Sequence, residues 1–76
     1  MEVEGISVQS GPYQDTIKTY LVRPTELAGM SEEEIKSAIR ERFHVGDKWW
    51  ENKLDLCRPN HDGSVYTVKI REPYTD

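Results

Sequence analysis

The sequence predicts an α+β fold with the element order β-β-α-β-β, in which one helix covers one face of a four-stranded sheet. One segment spaces its apolar residues like a helix and also carries helix start signals. Two pairs of strand-like runs flank it, and each pair is joined by a short turn that contains glycine. A chain of 76 residues is long enough for one small domain with a thin core. We therefore expect residues 1–76 to form a single domain of two hairpins and a helix.

The first hairpin is predicted from the runs GISVQS and DTIKTYLVRP. They are separated by GPYQD, in which Gly11 and Pro12 are typical turn residues. Pro24 should end the second run, because proline cannot donate the backbone hydrogen bond that a strand interior needs.

The segment MSEEEIKSAIRERFHVG predicts a helix over residues 32–44. Ser31 suits the N-cap, and Glu34 three residues later completes a capping box. Gly46 is expected in the left-handed conformation that commonly ends a helix. The apolar stripe that should face the sheet consists of Ile35, Ala38, Ile39 and Phe43.

The second hairpin is predicted from WWENKLDLCR and SVYTVKIREPY. A turn of His61, Asp62 and Gly63 would place the glycine at the left-handed position that such hairpins need. On the inner face, this turn sets Leu54 opposite Ile70, Leu56 opposite Val68 and Trp50 opposite Tyr74. On the outer face it sets Lys53 opposite Arg71, Asp55 opposite Lys69 and Cys57 opposite Thr67.

Two adjacent tryptophans, Trp49 and Trp50, would point to opposite faces of such a strand. We expect Trp50 to lie in the core under the helix, where its replacement by alanine should cost about 3–5 kcal/mol. Trp49 should then face away from the helix and be exposed. The alternative is that the first hairpin or the N-terminal segment covers it.

The predicted partner-binding site lies around Trp49, because tryptophan and arginine are over-represented at the energetic centres of interfaces. It consists of Trp49, Lys53, Arg71, Lys69 and Lys48. We interpret the chain as a small acidic, non-enzymatic interaction module that binds a protein partner or forms a dimer through the open sheet face. Inhibitors and accessory factors of mobile genetic elements belong to this class.

Two alternatives use other ligands. A single-stranded nucleic acid could bind the sheet face through Trp49, Lys53, Lys69 and Arg71, although a net charge of −4 opposes a phosphate backbone. A small molecule could bind between helix and sheet near Tyr20, Trp50 or Tyr74.

Catalytic, metal-binding and cofactor-binding residues are not predicted. Cys57 is the only cysteine, and neither His44 nor His61 is placed to activate it. A structural zinc site normally takes four Cys or His ligands, and the chain has three such residues. The glycines are scattered and form no phosphate-binding loop.

A single cysteine excludes an intrachain disulfide. The acidic N-terminus does not resemble a signal peptide, and no run approaches the ~20 apolar residues of a membrane span. We therefore expect a cytoplasmic protein that is not embedded in a membrane.

Overall fold

A computed structural model describes residues 1–74 and confirms the predicted α+β fold with its β-β-α-β-β order. The strands are β1 (Glu2–Gln9), β2 (Thr16–Arg23), β3 (Lys53–Pro59) and β4 (Tyr66–Glu72). The helix α1 spans Glu32–Arg42, and a short 3₁₀ turn, Thr25–Leu27, leads from β2 toward it.

The four strands form one sheet in the order β1-β2-β4-β3, and all neighbouring strands are antiparallel. The two hairpins therefore meet where β2 pairs with β4. As a result, β3 runs parallel to β2 but one strand away from it, with β4 between them. This order was left open by the sequence.

The core lies between α1 and the two central strands. Besides Pro24, five apolar side chains are buried: Val22, Ile39, Tyr66, Val68 and Ile70. The pairing of β2 with β4 puts the four strand residues on one face, and Ile39 of the helix packs against them. The opposite face, which we call the open face, carries no helix among the described residues.

Both ends of α1 are held by defined caps. The Ser31 hydroxyl accepts a hydrogen bond from the Glu34 backbone N–H at 3.2 Å, as predicted. At the other end, His44 takes the left-handed conformation (φ 56°), and its N–H donates to the Glu41 carbonyl. Because the Val45 N–H also reaches back to the Arg40 carbonyl, the end is a Schellman motif. The prediction that Gly46 ends the helix was therefore wrong.

The predicted register of the second hairpin is correct only near the start of β3. Lys53 lies opposite Arg71 and Leu54 opposite Ile70, as expected, but a bulge at Asp55 then shifts the pairing by one residue. Leu56 consequently faces outward beside Lys69, whereas Cys57 faces inward beside Val68. Both orientations are the reverse of the prediction.

The hairpin loop explains where the extra residue goes. The Asn60 N–H donates to the Val65 carbonyl at 2.7 Å, so Asn60 faces Val65 rather than Ser64 and the loop holds four residues. Gly63 is left-handed (φ 77°), as predicted. Because the loop has one more residue than predicted and Leu54 still faces Ile70, one residue of β3 is left without a partner on β4. That residue is Asp55, which forms the bulge.

Candidate functional site

The two tryptophans lie in a turn before β3, not in the strand itself. The Glu51 N–H donates to the Lys48 carbonyl at 3.0 Å, which closes a four-residue turn with Trp49 and Trp50 at its centre. Trp49 is 69% exposed and Trp50 is 53% exposed. The expected exposure of Trp49 is confirmed, but the placement of Trp50 in the core was wrong. A strand must send adjacent side chains to opposite faces, whereas a turn outside the sheet can expose both.

Polar side chains fix this tryptophan turn (residues 46–52) in place. The ammonium of Lys53 donates to the carbonyls of Gly46 and Lys48, each at 2.7 Å. The Glu51 carboxylate accepts from the Lys48 N–H at 3.2 Å. These hydrogen bonds within the turn hold the backbone around the tryptophans in place. The Lys53 ammonium is already bound to two carbonyls of the chain.

The base of the turn is tied to the end of the helix. The side-chain amide of Asn52 donates to the Phe43 carbonyl at 3.2 Å, and the Gly46 N–H donates to the Asn52 carbonyl at 3.1 Å. A Cβ at position 46 would meet the Glu51 carboxylate, so this side chain would have to move aside for any residue larger than glycine.

The tryptophan rings form one unit with a neighbouring cation. Their centroids are 5.6 Å apart at an interplanar angle of 88°, which is an edge-to-face pair. The Lys48 ammonium lies 5.1 Å from the Trp50 ring centroid, within the range of a cation–π contact. Lys48, one of the predicted site residues, therefore belongs to the tryptophan turn.

A second exposed aromatic pair joins the loop between β1 and β2 to the end of β4. Tyr13 and Tyr74 lie edge to face with centroids 5.9 Å apart, and they are 83% and 43% exposed. Tyr13 has a positive φ of 62° in a turn that the Gln14 N–H closes on the Gly11 carbonyl. A tyrosine is rarely found in this conformation, which stores local strain.

Asp15 holds this second pair together. Its carboxylate accepts from the Tyr74 backbone N–H at 2.8 Å and forms an ion pair with Arg71 at 3.5 Å. Arg71 also donates to both oxygens of Asp55, at 2.9 and 3.2 Å. Asp55 first and Asp15 second raise the pKa of Arg71. The guanidinium predicted to meet a partner is thus engaged within the chain, and Asp55 pairs with it rather than with Lys69.

Both aromatic pairs lie at the same end of the sheet. β2 begins at Thr16 opposite Glu72, near the end of β4, and β3 begins with Lys53 opposite Arg71. Since neighbouring strands are about 4.8 Å apart, β2 and β3 are separated by about 10 Å. We call this region the aromatic end; its members are Tyr13, Trp49, Trp50 and Tyr74. They are four of the seven aromatic residues in the chain.

The five predicted site residues differ in what they contact. Trp49 and Lys48 lie in the tryptophan turn, Lys53 and Arg71 brace the aromatic end, and Lys69 is exposed on the open face. Sequence reasoning missed Tyr13, Trp50 and Tyr74 as exposed candidates. The neighbouring Gly11 and Pro12 were a signal for Tyr13, because they indicate a turn and turns lie on the protein surface.

The opposite end of the sheet carries an apolar groove of about 630 Å³, a size suited to a small ligand. It lies between the segment after β2 and the β3–β4 loop. Its lining consists of Pro24, Thr25, Leu27, Ala28, Gly29, Met30, Glu32, Ile35, Pro59, Gly63, Ser64 and Tyr66. The residues proposed for a small-molecule site lie elsewhere: Tyr20 packs on Phe43, Trp50 on Trp49, and Tyr74 on Tyr13.

The titratable candidates for chemistry lie on separate elements. Cys57 is half-buried under the helix, and this burial raises the pKa of its thiol, against the opposite effect of Lys36 and Arg40. His44 at the helix end and His61 in the hairpin loop are exposed. Within residues 1–74, no three His, Cys, Asp or Glu side chains group closely enough to hold a metal ion.

Within the described part of the chain, the helix is too short and too polar to cross a membrane. Comparison with protein-family models, curated proteins and solved structures found no match to this chain. The geometry of the aromatic end is therefore the basis for a functional assignment.

Proposed function

We propose that this protein is a non-enzymatic binding module that takes a protein partner on its aromatic end. The observation that carries the proposal is the exposure of Trp49 and Trp50 on a turn whose backbone is fixed from within. A chain this small has a thin core and would gain stability by burying large aromatic rings. Rings that are held outside instead suit a partner surface, where tryptophan and tyrosine often dominate the binding energy.

The bracing of the turn supports the same proposal. A binding loop that is already ordered loses less conformational entropy when it associates. Here the ammonium of Lys53 and the carboxylate of Glu51 order the backbone on both sides of the rings. We expect the partner to offer an apolar pocket with hydrogen-bond acceptors at its rim, where the indole N–H groups and Lys48 could donate.

The test uses the fact that both tryptophans of the chain lie in this turn. A pull-down from the native host with wild type and with the Trp49→Ala/Trp50→Ala double variant should lose the partner only in the variant. Titrating wild type with the purified partner should shift the tryptophan emission to shorter wavelength as the rings leave water. Arg58→Ala, which changes an exposed residue on the open face, is the matched control. A partner that binds the double variant as tightly as wild type would contradict the proposal.

A single-stranded nucleic acid is the second candidate, because exposed tryptophan and tyrosine rings can stack on bases. The electrostatics favour it less: Arg71 and Lys53 are engaged within the chain, and the net charge is −4. Titration with oligonucleotides at low and high salt decides between the two candidates. Tryptophan quenching that weakens steeply with salt would favour nucleic acid over protein.

Three further expectations stay predictions. They are cytoplasmic localisation, self-association through the open face, and a role as an inhibitor or accessory factor of a mobile genetic element. The open face does offer half-buried Leu21 and Leu56 beside exposed Lys69 and Arg58, a composition compatible with a polar interface. Identification of the pull-down partner is the direct test of the third prediction.

A further inference from the structure

The outer edge of β1 is the most open backbone edge of the sheet. β1 ends the strand order, with β2 as its one neighbour among residues 1–74. Seven of its eight residues are exposed, Val3 being half-buried. β1 lacks proline and lysine, two of the devices that protect edge strands from pairing with another chain, although it carries a bulge and two glutamates.

Two exposed apolar side chains lie in the second half of β1. Ile6 and Val8 are 52% and 63% exposed. Together with Gly5, Lys18 and Tyr20 they help line a shallow depression of about 370 Å³. Such an apolar strip beside an unpaired strand edge is typical of a surface that another strand covers.

The bulge in β1 makes the strand compatible with a second copy of itself. Pairing with β2 places Val3 and Val8 on the helix-covered face, and Glu2, Glu4, Ser7 and Gln9 on the open face. The alternation reverses because Ile6 is the extra residue between Gly5 and Ser7. Three pairs of β1 residues therefore lie on the same face as each other: Glu2 with Gln9, Val3 with Val8, and Glu4 with Ser7. In each pair the two residue numbers add to 11.

We infer that two copies of this chain pair antiparallel along β1, about a two-fold axis between Gly5 and Ile6, and form a continuous eight-stranded sheet. In this register Glu2 faces Gln9, Val3 faces Val8, and Glu4 faces Ser7 of the other copy. The exposed Val8 packs on the half-buried Val3 of its neighbour, and the Glu2 carboxylate meets the Gln9 amide. A two-fold interface of this self-complementary kind is the commonest in homodimers.

Other registers pair fewer residues of β1, and two groups of them are also disfavoured on physical grounds. A shift by one residue would set side chains of the helix-covered face against side chains of the open face. Pairing confined to residues 2–5 would oppose Glu4 to Glu2, or Glu4 to itself, and like charges directly opposite each other are destabilising. The dimer leaves both aromatic ends free and pointing in opposite directions.

Sedimentation equilibrium tests this interface through a pair of charge variants at one position. Gln9→Glu places a carboxylate opposite Glu2 twice per dimer, and Gln9→Lys places an ammonium there. We expect the dissociation constant to rise by about 2- to 30-fold in the first variant and to fall by a similar factor in the second. Val8→Lys should give a monomer, and circular dichroism should show that this exposed change leaves the fold intact.

The Trp49→Ala/Trp50→Ala variant is the matched control and should dimerise like wild type, which separates this inference from the proposed partner site. Hydrogen exchange should show β1 amides that become protected as the protein concentration rises. A wild type that is still monomeric at about 1 mM would overturn the inference. A dimer that is indifferent to both charge variants and to Val8→Lys would overturn it as well.

Discussion

The seven aromatic residues divide between two regions with opposite environments. Tyr20, Phe43 and Tyr66 lie against the core under the helix, and Tyr66 is only 3% exposed. The four residues of the aromatic end are between 43% and 83% exposed. All of the inner aromatics lie in a strand or at the helix cap, whereas all of the outer ones follow or precede a strand. An aromatic ring is shielded from water here only where a strand or the end of the helix directs it between the helix and the sheet.

The two regions also differ in what holds them. The core is held by apolar packing, which is roughly proportional to the area removed from water. The aromatic end is held by hydrogen bonds and ion pairs from Lys53, Glu51, Asn52, Asp15 and Arg71 to the backbone and to one another. Stability should therefore depend on the first region, and the geometry presented to a partner should depend on the second.

Ile39→Ala should have the largest effect, because it removes a fully buried side chain from the middle of the core. We expect a loss of about 2–5 kcal/mol in the free energy of unfolding, measured by urea denaturation. Trp50→Ala removes a larger side chain but should cost about 1 kcal/mol or less, since the ring is half-exposed and contacts the exposed Trp49 and Lys48. A Trp50→Ala loss near that of Ile39→Ala would show that the turn is part of the core.

Gly46→Ala should disturb the aromatic end while the core stays intact. The new methyl group meets the end of the flexible Glu51 side chain, so the crowding should cost about 1 kcal/mol, the lower end of the range for overpacking. Tryptophan emission should change, because the turn must shift. The double variant Gly46→Ala/Glu51→Ala should recover part of the stability. Absence of any recovery would mean that the collision is not the cause.

His44→Gly should stabilise the protein by about 1 kcal/mol, because glycine has no Cβ to strain in the left-handed conformation. Thermal unfolding would measure this gain. Tyr13→Gly is the matched change in the aromatic end: it relieves a similar strain but removes the contact with Tyr74. We therefore expect a smaller gain at Tyr13, and an equal gain would mean that the tyrosine pair contributes nothing to stability.

The smallest expected effect is the dependence of stability on the ionisation of Cys57, which can be tested by changing the pH. Burial raises the pKa of its thiol above the ordinary value of 9.0, so folding favours the protonated thiol. The stability associated with this group is present below pH about 9 and is lost as pH rises further. A thiol reagent should react slowly with the native protein and fast in denaturant, with Cys57→Ser as the blank. Equally fast reaction in both states would place Cys57 outside the core.

The sequence predicted the elements better than their contacts. The helix begins after Ser31 as expected because its capping signals are local, and the two strand pairs follow from alternation and turn residues. The register beyond Leu54 was wrong because the Asn60–Val65 segment can form either a three-residue or a four-residue loop. Which one forms depends on whether the partner strand can tolerate a bulge, and that is a property of the pair.

The candidate site was predicted only in part. Lys48 and Trp49 were identified from composition, but Lys53 and Arg71 were read as free cations although both bind groups within the chain. Tyr13 and Tyr74 are 61 positions apart, and their contact depends on the pairing of β2 with β4. No local pattern reports a contact of that kind.

The sequence by itself determined the fold class, the helix with its N-cap and the left-handed Gly63. Each of these depends on interactions within a few residues, or on a periodicity that the chain displays along its length. Tertiary structure alone decided the strand order, the bulge at Asp55, the exposure of Trp50 and the gathering of four aromatic rings at one end of the sheet. These depend on which distant segments meet, and their free energy comes from packing and hydrogen bonds that exist only once the segments have met.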